Sequence, residues 1–405
     1  MTNFFPTREA ALRQLDDFAP LMGQAYASQR NYDHGPTKHT SVSLLSPYLR
    51  RRLISEQEVV TRAVQTHGLD GAEKFIQEVF WRGYIKGWLE RRPAIWASYR
   101  QGLTADLEQL QSNGGLRQAV EQAETGRTGI ECFDVWVNEL TETGYLHNHA
   151  RMWFASIWIF TLKLPWRIGA DFFYRHLLDG DPASNTLSWR WVAGLHTRGK
   201  SYEAQAWNIA KFTGGRFAPS DTDFETGVIS LDWTEPNGLP TPQPPRNYAS
   251  PKPDTPTALL LTEDDCLPET LDLKNINIVS VATLSSSALR SPRSVPDHVR
   301  SFEAGALEDA AKRFGRAYET LYAGSPQPLF DWAKDTGAQQ IVMPYAPHGP
   351  LKDWMDTVQT QLEDNSFALC EVRRPWDDAI WQHATAGFFK VKKEIPNILA
   401  RLEIA

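Results

Sequence analysis

Cysteine is scarce in this chain: Cys132, Cys266 and Cys370 are the three in 405 residues, and they lie far apart. An odd, scattered set argues against a disulfide framework and leaves no Cys pair to ligate zinc or an iron–sulfur cluster. No H-x-x-x-H pair occurs either, so no bound metal is expected. No apolar stretch reaches 18 residues, and the N-terminal run MTNFFPTREAALRQL has no hydrophobic signal core. A cytoplasmic protein without membrane spans is the expectation. An excess of positive charge is also missing. The net charge of -7 gives no general pull toward nucleic acid, although a local basic face would serve. Candidates for such a face are Arg50-Arg51-Arg52 and the run holding Arg198, Lys200, Lys211 and Arg216. No internal repeat is found.

Tryptophan, by contrast, is plentiful: 15 residues, ten of them before residue 218. A buried indole needs a partner for its N–H, so this concentration suits either a large helical core or stacking and electron-transfer duty. Over residues 7–217, AALRQLDDFAPLM, SPYLRRRLISEQEVVTRAV, GAEKFIQEVFWRGYIKGWL and HARMWFASIWIFTLKLPW carry apolar residues at helical spacing. Gly144 and Pro165 read as helix stops. Residues 236–256 then contain eight prolines, which should run extended as a linker. Beyond them TALLLTED, INIVSVATLS, QQIVMPYA and SFALCEVR are short β-branched runs alternating with helical stretches such as SFEAGALEDAAKRFGRAYETL. That alternation predicts a parallel sheet with crossover helices. The expected division is a helical domain over 1–218, a linker over 219–256, and a smaller α/β, Rossmann-like domain over 257–405.

Three short motifs compete for a function. GLHTRGKS, residues 194–201, matches the phosphate-loop pattern letter for letter. It lacks a buried strand before it, and its surroundings read as helical. His147-Asn148-His149 spells a nuclease-like tripeptide, but without a metal context it reads better as a helix N-terminus. DGDPASNTLSWRW, residues 179–191, packs Asp179, Asp181, Asn185, Trp189 and Trp191 together. It fits a polar ligand with an aromatic face, or else a well-packed polar turn.

The segments TSVSLLSPYLRRRLIS, QEVFWRGYIKGW, GRTGIECFDVWVNELTETGYLHNHARMWFAS, DGDPASNTLSWRWVAG and NIAKFTGGRF occur in this order. Together, across nearly all of residues 10–217, they resemble the flavin-binding half of the DNA photolyase and cryptochrome family. The resemblance implies an all-α FAD-binding domain followed here by the smaller α/β domain. It implies FAD contacts at Tyr26, Thr40, Ser41, Ser43, Ser46, Glu78, Arg82, Asn148, Arg151, Asp179, Asp181 and Asn185, with Asn185 beside flavin N5. A pocket for a flipped pyrimidine dimer would be formed by Glu78, Trp81, Asn148, Met152 and Trp191. Trp189 and Trp166 match the two inner members of the family's electron-carrying tryptophan chain. DNA phosphates would meet Arg50, Arg198, Lys200, Lys211 and Arg216.

The chain departs from the family pattern in four places. The outermost tryptophan position falls near Asn113, so Trp158, Trp153 or Trp136 would have to substitute. The acid that pairs with the arginine matching Arg151 falls near Thr161. Two extra residues lie between Thr40 and Ser46. The α/β domain follows the helical one rather than preceding it, and reads as a permuted antenna domain whose second chromophore the sequence does not name. The implied activity is light-driven splitting of pyrimidine dimers in damaged DNA, a carbon–carbon lyase reaction. The alternative is a cryptochrome-like blue-light receptor without repair activity, and a phosphate-loop ATPase is a third class.

Overall fold

The computed structural model describes residues 4–36, 38–364 and 366–404. The chain forms two compact units: a helical unit of residues 24–44 and 92–241, and a sheet unit of 4–23, 45–91 and 242–405.

Five parallel strands make the core of the sheet unit. They are β1 (Pro256–Thr262), β2 (Asn277–Ser285), β3 (Glu319–Tyr322), β4 (Gln340–Pro344) and β5 (Ala368–Val372), in the order β3-β2-β1-β4-β5. β1 and β4 are central and buried almost throughout, which is why they read as unbroken apolar runs. Four strands were visible in the sequence pattern. β3 was not: it is a four-residue edge strand with only Leu321 buried, and its first three residues sat inside an expected helical stretch. That helix, Asp297–Phe314, stops at Gly315, whose φ of 76° is left-handed. Helices on both faces bury the sheet, with Ala258, Leu260, Ile341 and Met343 in one core and Leu259, Leu261 and Val342 in the other.

The division at residue 218 differs from these units. Helix Glu73–Glu90 packs against helix Pro375–Trp381 inside the sheet unit, and two glycines set the approach. A Cβ at Gly83 would lie 2.8 Å from Ile380, and one at Gly87 would lie 2.5 Å from Trp381. The other cause is electrostatic. Arg50, Arg51 and Arg52 are buried, and their partners are acids of the α/β segment: Asp264 at 2.6 Å, Glu303 at 2.5 Å, and Asp377 at 2.6 Å with Asp265 at 3.2 Å. Burial alone would lower the pKa of Arg52, but Asp377, Glu56 and Asp265 more than reverse this and hold it charged. In doubly wound sheets ligands bind outside the carboxyl ends of the strands where strand order reverses. Here that end of β1 leads into Glu263, Asp264 and Asp265, and these acids are engaged with the chain's own arginines and serines.

In the helical unit, helix Glu131–Thr143 ends at left-handed Gly144, as its residue type led us to expect, whereas Pro165, expected as a helix stop, is the N-cap of helix Trp166–His176. His147 caps helix Asn148–Ser156. That helix runs on through a wider turn, Ile157–Thr161. Residues 219–241 are packed rather than a free linker: Phe224 is buried, Leu231 N–H donates to Ala193 O, and Arg190 holds Glu235 through two 2.6 Å bonds. GLHTRGKS follows helix Pro182–Val192 within this helical unit, so the strand a phosphate loop requires is not there. No described helix is long and apolar enough to cross a membrane.

Candidate flavin site

Helix Pro182–Val192 starts where DGDPASN dictates. Asp181 is its N-cap, accepting from Ser184 N–H at 2.8 Å, and Pro182 occupies the first helical position, where no N–H is needed. This places Asn185 and Trp189 one turn apart on the buried side. Asn185 Nδ2 donates to Ala170 O at 2.7 Å, which leaves the amide oxygen as an acceptor. Just before the cap, Asp179 receives a two-point bond from Arg151, at 3.1 and 2.9 Å. Burial opposes the charge on Arg151, and Asp179 overcomes it, raising the arginine's pKa. Thr161, at the position where an acid was expected, instead accepts from Glu225 N–H at 3.2 Å. Asp179 therefore does the pairing that the sequence left unassigned.

The donor set fits a flavin. It offers a fixed, charged guanidinium, two carboxylates at a helix start and an unengaged amide oxygen. Of the remaining residues expected here, Met152 and Trp191 are half-buried and Asn148 is exposed; the Trp191 ring lies 5.4 Å from Tyr202. Tyr26 and Ser43 are half-buried and Thr40 is exposed, while Ser41 is buried and donates to Tyr32 O at 3.0 Å. Four expected residues fall in the sheet unit: Ser46, Glu78, Trp81 and Arg82. On helix Glu73–Glu90, spacings of three and four put Glu78, Trp81 and Arg82 on one face. Glu78 is exposed, Trp81 is 44% exposed with its ring 4.6 Å from Phe388, and Arg82 lies 3.5 Å from Glu56.

The tryptophans sort differently from the sequence expectation. Asn113 caps helix Gly114–Glu124 through Leu116 N–H at 3.0 Å, a structural task. Of the three substitutes considered, Trp158 touches Trp189, their rings crossing at 87° with centroids 6.3 Å apart. Gly169 makes that crossing possible, since a Cβ there would lie 2.4 Å from Trp189 and 2.8 Å from Trp158. Trp136 and Trp153 stack on each other at 5.5 Å instead. Sequence reasoning missed a second aromatic set: Trp166 is 5.9 Å from Tyr99, which is 5.4 Å from Trp96. The signal available was W-x-x-Y at helical spacing within Pro93–Ser112.

The basic residues need one correction. Arg50 is 4% exposed and paired with Asp264, so it cannot grip a phosphate, and its neighbours Arg51 and Arg52 are equally committed. Arg198 bonds the carbonyls of Glu235 and Asp232, and Arg216 pairs with Asp33 at 2.5 Å. Lys200 and Lys211 are exposed. Among the described residues no group of three His, Cys, Asp or Glu is placed to hold a metal ion.

Residues 75–215 match the model of the FAD binding domain of DNA photolyase. The chain is similar to the deoxyribodipyrimidine photo-lyase of Streptomyces griseus, 36% identical over 165 residues, covering 40% of this chain and 34% of the relative. It is 31% identical over 207 residues to that of Escherichia coli, covering 50% and 42%. The matches thus span less than half of these relatives' length. A solved bacterial class III photolyase from Agrobacterium tumefaciens is 26% identical with a TM-score of 0.41, covering 51% of this chain and 43% of that one. Through residues 75–215 this chain is similar to the FAD-binding domain of the DNA photolyase family.

Proposed function

We propose that the protein splits pyrimidine dimers in damaged DNA under blue or near-UV light. The observation that carries this reading is Trp81, an indole left 44% exposed beside an exposed carboxylate, Glu78, on one helix face. An exposed aromatic wall with a polar anchor suits a pyrimidine dimer flipped out of the duplex. The chemistry supplied by bound, reduced FAD would be the loan of one electron to the dimer, whose ring bonds open as the electron returns. The chain's own part is binding and orientation. Asp179 and Asp181 would hold the cofactor's polar edge, Arg151 keeps Asp179 in place, and Asn185 would offer its amide oxygen to the flavin. Of the residues proposed to meet the dimer, Glu78 and Trp81 lie on one helix of the sheet unit, and Asn148, Met152 and Trp191 lie in the helical unit. Trp189 and Trp166 pass electrons inward when the flavin must first be reduced.

The test is repair of a dimer-bearing oligonucleotide by flavin-loaded protein, lit and dark. Light-dependent loss of dimer is expected, and an unchanged dimer under light overturns the reading. The second reading is a blue-light receptor. Asn113 favours it, because the family's outermost electron carrier is replaced there by a helix cap. Flavin photochemistry with no dimer splitting would select it.

A further inference from the structure

Inside the sheet unit the Trp81 ring meets Phe388 at 4.6 Å and Tyr84 at 5.4 Å, with interplanar angles of 57° and 59°. Tyr84 and Phe388 meet each other at 5.6 Å and 64°, so the three rings close a triangle. Tyr84 stands three residues after Trp81 on the same helix and is buried. Phe388 comes from the α/β segment, outside the stretch 75–215 that matches the FAD-binding domain.

Phe388 sits on a fixed element. It is the N-cap of helix Phe389–Arg401, and its carbonyl accepts from Lys392 N–H at 2.9 Å. Buried Val391, Ile395, Ile398 and Leu399 anchor that helix. Lys392 also pairs with Glu73, at the start of the helix that carries Trp81, at 3.4 Å. The two adjacent phenylalanines are placed in opposite ways: Phe388 is half-buried on Trp81, whereas Phe389 is 76% exposed. An indole on an open helix face divides its time among several rotamers. A binding wall needs one plane, locked by packing from behind. Tilted contact with two rings supplies that packing, and it does so while leaving much of Trp81 open to a ligand.

We infer that Phe388 is a positioning residue for the dimer, holding the Trp81 ring at the angle from which it packs on the lesion. The inference rests on the proposed dimer splitting and adds to it a residue of the α/β segment. The test uses full-length, flavin-loaded, pre-reduced protein with matched damaged and undamaged duplexes. Phe388→Leu keeps the apolar bulk and loses the ring, whereas Phe388→Tyr keeps the ring. Phe388→Leu should lower the preference for the damaged duplex roughly 2- to 10-fold, the scale of one aromatic pair. Under saturating light its KM for dimer splitting should rise by a similar factor. Its kcat, flavin content and affinity for undamaged DNA should stay unchanged. Phe388→Tyr and Phe389→Ala should both match the wild type. In a Trp81→Ala background, Phe388→Leu should have no further effect, because the ring it positions is gone. Additive losses in that double variant, or an equal loss in Phe389→Ala, overturn the inference. So does a raised preference in Phe388→Leu, since the ring would then cover the wall rather than brace it. Flavin loss or weaker binding of undamaged DNA in Phe388→Leu overturns it as well, because the damage would be general. A wild type that prefers the dimer, with Phe388→Leu unaffected, removes Phe388 and leaves the repair reading standing. A wild type with no such preference removes both.

Discussion

His147 caps helix Asn148–Ser156 with the lone pair of Nδ1, accepting from His149 N–H at 3.2 Å. Only a neutral ring can do this. Burial, aided by the nearby His39, His149 and Arg151 and opposed by Asp33, lowers its pKa to about 4. Between pH 6.5 and about 4 the unfolded chain therefore binds a proton that the folded chain refuses, and stability falls as the pH falls through that window. His196, half-buried beside Arg190 and Arg92, is lowered to about 4 as well, chiefly by desolvation, and acts in the same direction. We expect acidification from pH 7 to pH 5 to cost about 2 kcal/mol for His147 alone. His147→Asn keeps an acceptor at the cap, and its urea midpoints at the two pH values should lie correspondingly closer together. Asp181 poses a related question, because it serves both as a cap and as a proposed cofactor ligand. Asp181→Ser retains the cap and removes the charge. Full flavin content in Asp181→Ser would show that the carboxylate is there for the helix alone, whereas flavin loss with an unchanged melting temperature is the expected result.

At the scale of elements, the crossing of helices Trp166–His176 and Pro182–Val192 depends on Gly169. Gly169→Ala should destabilise the protein by about 1–3 kcal/mol, the usual cost of overpacking. It should also alter the near-ultraviolet circular dichroism of Trp158 and Trp189. An unchanged spectrum would mean that the indoles are not locked by this contact. Elements whose reasons are local could be read from the chain: the helix start at His147, the stop at Gly144, and the buried runs of β1 and β4. What could not be read is whatever depends on a distant partner. Arg50-Arg51-Arg52 looks like a solvated basic patch until Asp264, Glu303 and Asp377, more than 200 residues away, are seen to neutralise it. β3 escaped because an edge strand with one buried residue carries no hydrophobic period. The Arg151–Asp179 pair escaped because spacing alone does not say which acid an arginine will reach.

At the scale of the whole molecule, helix Glu73–Glu90 belongs to the sheet unit although it precedes the sheet by some 165 residues. A chain cut after residue 241 would leave this helix without Ile380 and Trp381 and leave Arg52 without Asp265 and Asp377. We expect such a fragment to show fast hydrogen exchange throughout 45–91 while 92–241 stays protected. Uniform protection would mean that those helices are stable alone. In the full chain, Arg52→Leu should cost about 3–5 kcal/mol, the penalty for stranding buried charge, read as a lower urea midpoint. The same connectivity bears on how the protein is made. A ribosome releasing roughly 5–20 residues each second delivers residues 92–241, most of the helical unit, in one continuous stretch. The apolar helix at 73–90 emerges earlier but must wait roughly 15–60 s for Ile380 and Trp381. During that interval its buried face is open to chaperones and to other nascent chains, so the yield of active protein should depend on elongation speed more than on the stability of the finished fold.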